Sequence, residues 1–132
     1  MSLEPAGTPW GFMCADTLRM THVTGWVVKE NHPAYQIRFQ DEFRIGVGGP
    51  FGRQLCFRGT KAGDRVVVVD DVISTGETAR AVLEGLRLHD IEVAGFFAIA
   101  TKGDGYKKVA ESCGVPIHSL VHLAADGKTF LP

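Results

Sequence analysis

Short apolar runs alternate along the chain with stretches whose apolar residues recur at helical spacing. The clearest unit runs from Asp64 to Ala100. Arg65-Val66-Val67-Val68-Val69 is β-branched and almost wholly apolar, the pattern of a parallel strand buried on both faces. Asp70-Asp71-Val72-Ile73-Ser74-Thr75-Gly76 follows, and then Ala79, Val82, Leu83 and Leu86 recur at the spacing of one helix face, closed by His89 and Asp90. Glu92 to Ala100 is the next buried strand. The unit is therefore a βαβ crossover, expected to be right-handed.

The same alternation extends both ways. Gly105 to Cys113 reads as a helix ended by Gly114 and Pro116, and Ile117 to Leu123 as a last strand. Upstream, Pro9 to Met20 reads as a helix and Gly25 to Glu30 as a strand. Phe43 to Val47 and Gln54 to Phe57 read as two arms of a hairpin, with Gly48-Gly49-Pro50-Phe51-Gly52 as its tip. Strands alternating with amphipathic helices predict an α/β fold of three layers, a mostly parallel central sheet with helices on both faces.

Composition narrows this picture. The chain has 132 residues, 45% apolar and 22% charged, which fits one globular domain spanning 1–132. A net charge of -1 gives no support to nucleic-acid binding. No apolar run approaches the ~20 residues that cross a bilayer. Cys14, Cys56 and Cys113 show no metal-type spacing and are expected as small core hydrophobes in a reducing cytoplasm. His22, His32, His89, His118 and His122 share no ligand spacing either and are expected as structural or surface residues.

Candidate chemistry concentrates after the Val66–Val69 strand. A strand delivers the chain to the carboxyl edge of the sheet, where α/β proteins bind ligands. A turn there exposes backbone N–H groups, and the helix behind adds its positive end, which together make an anion site. Gly76 lets the backbone approach a phosphate closely. Ser74, Thr75 and Thr78 can donate hydroxyl hydrogen bonds. Asp70 and Asp71 repel phosphate, but they suit the donors of a vicinal diol and can hold Mg²⁺ directly or through water. A sugar 5-phosphate meets both demands.

Val66 to Thr78, VVVVDDVISTGET, resembles the phosphoribosyl-pyrophosphate (PRPP) signature of type I phosphoribosyltransferases. The resemblance implies that Val72, Ile73, Ser74, Thr75, Gly76, Glu77 and Thr78 form the 5-phosphate loop, and that Asp70 and Asp71 are the catalytic and Mg²⁺-facing pair, with Asp71 nearest the ribose. Glu4-Pro5-Ala6-Gly7 stands where the family has a pyrophosphate loop. Pro5, Ala6, Gly7, Lys29 and Arg53 are thus the pyrophosphate candidates, and the glycine-rich hairpin tip resembles the loop that closes over PRPP. The stretch from Ile99 to Phe130, with its strand-end lysine, SLV and late DGK, resembles the tail of xanthine and archaeal hypoxanthine phosphoribosyltransferases. In those enzymes the strand-end lysine donates to the 6-oxo group of the purine. Lys102 takes that place, and Phe97, with Phe96 and Tyr106 as alternatives, is a candidate for stacking on the base.

The implied activity is transfer of ribose 5-phosphate from PRPP to a 6-oxopurine (hypoxanthine, guanine or xanthine) with release of pyrophosphate, by a Mg²⁺-dependent cytoplasmic homodimer. A non-catalytic PRPP-binding module, a remnant of the fold, and transfer to adenine, orotate or uracil stay open. One departure bears on the fold. The family's central strand, which leads into the pyrophosphate loop, is reduced to Met1-Ser2-Leu3, and the base-covering hood is not in the sequence. A gap there would leave backbone groups unpaired. The expectation is a longer chain upstream of Met1, with a swapped partner segment or a rearranged sheet as the other outcomes.

Overall fold

The computed structural model describes residues 1–31, 33–37, 40–47 and 52–131. Its strands are β1 (Ser2–Leu3), β2 (Thr24–Lys29), β3 (Glu42–Gly46), β4 (Arg53–Arg58), β5 (Arg65–Ile73), β6 (Glu92–Lys102), β7 (Ile117–Leu123) and β8 (Phe130–Leu131). The helices are α1 (Gly7–Leu18), α2 (Pro33–Gln36), α3 (Glu77–Leu88) and α4 (Gly105–Cys113). One eight-stranded sheet has the order β3-β4-β2-β1-β5-β6-β7-β8. The strands from β2 through β1, β5 and β6 to β7 run parallel, while β3, β4 and β8 add antiparallel edges.

The expected βαβ unit is present, but β5 runs on past Val69 through both aspartates to Ile73. The hairpin arms pair from Glu42↔Arg58 to Gly46↔Gln54. The expected tip, Gly48 to Phe51, lies outside the described residues, as does His32. Neither α2 nor β8 carries a pattern long enough to be read from sequence.

The short central strand is in place. Ser2 and Leu3 pair in parallel with Thr24 and Gly25 on one side, and Ser2 pairs with Val69 on the other. The Ser2 N–H donates to the Val23 carbonyl at 2.8 Å, Glu4 N–H to Gly25 at 3.0 Å, and Val69 N–H to Met1 at 2.9 Å. The Met1 amino group donates to the Val67 carbonyl at 2.9 Å. The sheet is therefore neither rearranged nor split at this position.

Successive residues of a strand face opposite sides, and β1 shows which helix covers which side. Leu3 lies in the main core with Val68, Phe96, the α3 residues Val82, Leu83 and Leu86, and Val109 of α4. Ser2 faces α1: a Cβ on Gly11 would come within 2.4 Å of Ser2 Cβ. So α3 and α4 cover one face and α1 the other. α3 is amphipathic as expected. α1 is not: it buries Gly7, Gly11 and Ala15 and exposes Trp10, Phe12, Met13 and Leu18. Small residues let its backbone lie close to β1 and β5. Cys56 is buried and Cys113 half-buried, but Cys14 of α1 is exposed, against the expectation of a core residue.

Leu86 is fully buried and Leu88 is 80% exposed on the same helix. Leu86→Ala is expected to cost about 2–5 kcal/mol of unfolding free energy. Leu88→Ala should change it by less than about 0.5 kcal/mol. Urea denaturation of both variants checks this; equal losses would mean that α3 does not pack as described.

Candidate active site

The carboxyl ends of the central strands converge on a cavity of about 300 Å³. Glu4, Pro5 and Ala6 form one wall, Asp70, Asp71, Val72 and Thr78 another, and Arg53 enters from β4. Leu3, Val27, Val47 and Leu55 supply an apolar floor. The fold thus unites two segments far apart in sequence, the Glu4–Gly7 loop and the Asp70–Asp71 pair, by setting β1 beside β5. Another cavity, about 240 Å³ between α3, α4 and the start of β6, is distant from the carboxylates.

Gly7 explains how closely the two walls meet. A Cβ there would lie 2.7 Å from Asp70 Oδ1 and 3.0 Å from both Asp70 Cα and the Val69 carbonyl oxygen. Only glycine lets the first turn of α1 rest on this part of β5. The contact buries Asp70, and burial pushes its carboxyl pKa from the usual 3.8 up to about 7. The Asp71 charge adds to that rise, while the Asp71 N–H, donating to Asp70 Oδ1 at 3.0 Å, works against it. Asp70 is thus about half ionised near neutral pH.

The Ser74–Gly76 turn follows. Gly76 adopts φ 84° and precedes α3 directly, a left-handed geometry that glycine adopts without a Cβ clash. Ser74, Thr75 and Thr78 are exposed, and Thr75 Oγ1 accepts a long 3.4 Å hydrogen bond from Glu77 N–H. Ile73 points into the core instead. The turn is braced from behind by the start of α4. A Cβ on Gly105 would meet the Thr75 and Ser74 carbonyl oxygens at 2.5 and 2.6 Å, and one on Gly76 would meet Val109 Cγ2 at 2.6 Å. Gly105 and Val109 are site-shaping residues that the sequence reading passed over. The glycine immediately after the Lys102-Gly103-Asp104 turn was the available signal.

The remaining candidates are spread out. Lys29 ends β2, exposed, as the cross-strand neighbour of Arg53, which does line the cavity. Lys102 ends β6, and its Nζ would lie 3.0 Å from a Cβ on Gly127, so it rests against the turn after β7. Phe97 lies mid-strand, away from the cavity lining, and stacks on His118 at 5.0 Å. Phe96 is fully buried in the core. His118 and His122 have different neighbours, the latter meeting Thr101 and Tyr106.

A carboxyl whose pKa is raised by folding makes the folded state the better proton binder. Stability should therefore fall as pH rises from about 4 through about 7, by up to about 4 kcal/mol. Asp70→Asn should remove that slope and stabilise the free protein above pH 7; thermal unfolding across pH 4–8 reads it, and an unchanged slope would refute the burial argument. Gly105→Ala should displace the Ser74–Thr75 carbonyls and weaken PRPP binding about tenfold or more while unfolding stays cooperative. Titration calorimetry reads the affinity, and unchanged binding would remove the bracing role.

A family model described as the phosphoribosyl transferase domain matches residues 54–117. The hypoxanthine/guanine phosphoribosyltransferase of Methanothermobacter thermautotrophicus is 34% identical over 126 residues, covering 88% of this chain. That of Methanobacterium lacus is 42% identical over 76 residues, 57% of this chain and 40% of the relative. The chain spans 64% of the length of the Methanothermobacter protein. Among solved structures, the adenine phosphoribosyltransferase of Rhodothermus marinus superposes with a TM-score of 0.72 at 25% identity, covering 92% of this chain and 67% of that one. The adenine enzyme of Trypanosoma brucei, in complex with AMP, pyrophosphate and ribose-5-phosphate, superposes with a TM-score of 0.74 at 19% identity, covering 96% and 57%. With the strand–Asp–Asp–turn–helix signature seated at the sheet's carboxyl edge, these relatives establish that the chain belongs to the type I phosphoribosyltransferase family.

Proposed function

We propose that this chain carries out transfer of ribose 5-phosphate from PRPP to a 6-oxopurine, releasing pyrophosphate. The observation that carries the reading is the single cavity that brings Pro5 and Ala6 together with Asp70, Asp71 and Thr78. PRPP needs such a surface, with an anion site for each end and acceptors for the two ribose hydroxyls between them. The 5-phosphate belongs at the Ser74–Gly76 turn and the α3 start, and the pyrophosphate at Pro5, Ala6, Gly7 and Arg53, with Lys29 beside Arg53.

Mg²⁺ fits the donor set. No group of three or more His, Cys, Asp or Glu side chains gathers among the described residues, but Mg²⁺ commonly uses one or two carboxylates and takes its other ligands from substrate phosphates and water. Asp70, whose pKa burial raises to about 7 and which ionises fully as the cation binds, and Asp71 are the residues that would hold it. When bound it would offset pyrophosphate charge. The protein's own part is positioning and electrostatics. As the bond from the anomeric carbon to pyrophosphate breaks and the bond to a purine nitrogen forms, positive charge grows on the sugar, and the Asp71 carboxylate beside the ribose stabilises it.

Lys102 sets the choice of base. An ammonium has donors only, so it satisfies a 6-oxo acceptor and leaves the 6-amino donors of adenine without a partner. The relatives named as hypoxanthine/guanine enzymes support this assignment. The exposed apolar side chains of α1 support a homodimer. Among the described residues no helix is long and apolar enough to cross a membrane, and a cytoplasmic setting belongs to the same proposal.

Calorimetry with PRPP and Mg²⁺, followed by pyrophosphate release with each purine base, tests the reading. Turnover is expected with hypoxanthine, guanine or xanthine and not with adenine. Asp71→Asn should weaken PRPP binding by about tenfold or more. Lys102→Ala should raise the base KM about ten- to a hundredfold with PRPP affinity unchanged. Binding without turnover would favour a PRPP sensor, and absence of binding a remnant of the fold.

A further inference from the structure

A polar cluster closes the carboxyl ends of β6 and β7. Thr101 is fully buried although polar. Its Oγ1 lies 2.9 Å from His122 Nδ1 and 3.0 Å from Ser119 Oγ. A hydroxyl has one proton to give, so these two bonds occupy it from both sides. The His122 ring meets Tyr106 edge to face at 5.5 Å, and Tyr106 packs on the main core from the first turn of α4. That turn starts at Gly105, against the phosphate-loop carbonyls. Thr101 precedes Lys102 directly, and Thr101↔His122 and Lys102↔Leu123 are consecutive cross-strand pairs.

We propose that His122 is a positioning residue for the purine site, fixing the end of β6 through Thr101 so that Lys102 is aimed at the acceptor base. This rests on the reading of Lys102 as the cation that meets the base. The physical reason is local. Lys102 is the last residue of β6, and Gly103, with φ 65°, turns the chain away immediately after it. The strand is paired on both sides as far as Thr101, with Ile73 and His122, but Lys102 pairs with β7 alone, and the Gly103 N–H to Leu123 carbonyl bond at 2.8 Å follows it. A bond from a buried side chain one residue earlier fixes the direction in which the lysine leaves the sheet. On its other side the lysine chain rests against Gly127. Removing the imidazole nitrogen leaves Thr101 with Ser119 alone and frees the strand end to twist.

Two variants separate the hydrogen bond from the ring. His122→Phe keeps an aromatic ring for Tyr106 and loses the bond, whereas His122→Asn keeps a polar atom where Nδ1 stands and loses the ring. In steady-state pyrophosphate release with PRPP, Mg²⁺ and hypoxanthine or guanine, the Phe variant is expected to raise the base KM about tenfold or more with the PRPP KM within about twofold. The Asn variant is expected to recover most of that loss. A Phe variant with wild-type constants, a Phe variant whose two KM values rise together, or an Asn variant no better than Phe would each overturn the positioning role. Absence of turnover by the wild-type chain with any 6-oxopurine would overturn the functional reading, and this role with it. Normal wild-type turnover with any of the first three results overturns the role of His122 alone.

Discussion

Burial of the Asp70 carboxylate beneath the first turn of α1 is the contact from which the site's geometry and electrostatics follow. Gly7 allows it, because any side chain there would strike Asp70 and the Val69 carbonyl. The contact seats the Glu4–Gly7 loop against β5 at Val69 and Asp70, so that the two walls of the cavity meet. It also leaves a carboxyl that ionises near pH 7. Burial of an ionisable group without a charge partner opposes stability, and a bound cation reverses that opposition. A site strained in this way is arranged for a ligand, as active sites with shifted carboxyls commonly are.

The same device recurs at the Ser74–Gly76 turn. Gly105 rests on the carbonyls of Ser74 and Thr75, and Gly76 rests on Val109. The Ser74–Gly76 turn is thereby held between β5, α3 and α4. Backbone N–H groups stabilise an anion best when they do not have to reorganise to meet it. The core beneath, from Leu3 and Val68 to Leu86 and Phe96, supplies the rigid base. Hydrophobic burial and the site are linked through the alternation of β1: Leu3 anchors the strand in the core while Glu4, one residue on, opens the cavity wall.

How much could be read in advance differs by element. The Val66–Val69 strand, the α3 face and the Asp70–Gly76 turn were legible because their information is local: a buried strand, a helical period and a turn glycine each show in adjacent residues. The hairpin arms and the β2 strand were legible as elements for the same reason, while the antiparallel pairing of β2 with β4 was not. The end of β5 was not, since two aspartates look like a loop until a helix start covers one of them. Cys14 was misplaced because α1 inverts the usual rule, burying Gly7, Gly11 and Ala15 and turning its large side chains outward. The resemblance placed a reduced strand at Met1–Leu3, but its pairing could not be read from those residues themselves, because the partners lie more than twenty residues away on one side and more than sixty on the other.

By itself, then, the amino-acid order determined the repeating strand–helix unit, the residues that can bind a sugar phosphate and the lysine at a strand end, since residue type and short spacing carry those properties. Only the tertiary structure decided that Pro5 and Ala6 meet Asp70 and Asp71 in one cavity, that Arg53 joins them while Lys29 stands beside it, and that Phe97 stacks on His118 away from it. Those outcomes follow from parallel pairing of β1 with β5 and from which side of a strand each residue faces. They are set by contacts between distant segments, and a short sequence pattern does not contain them.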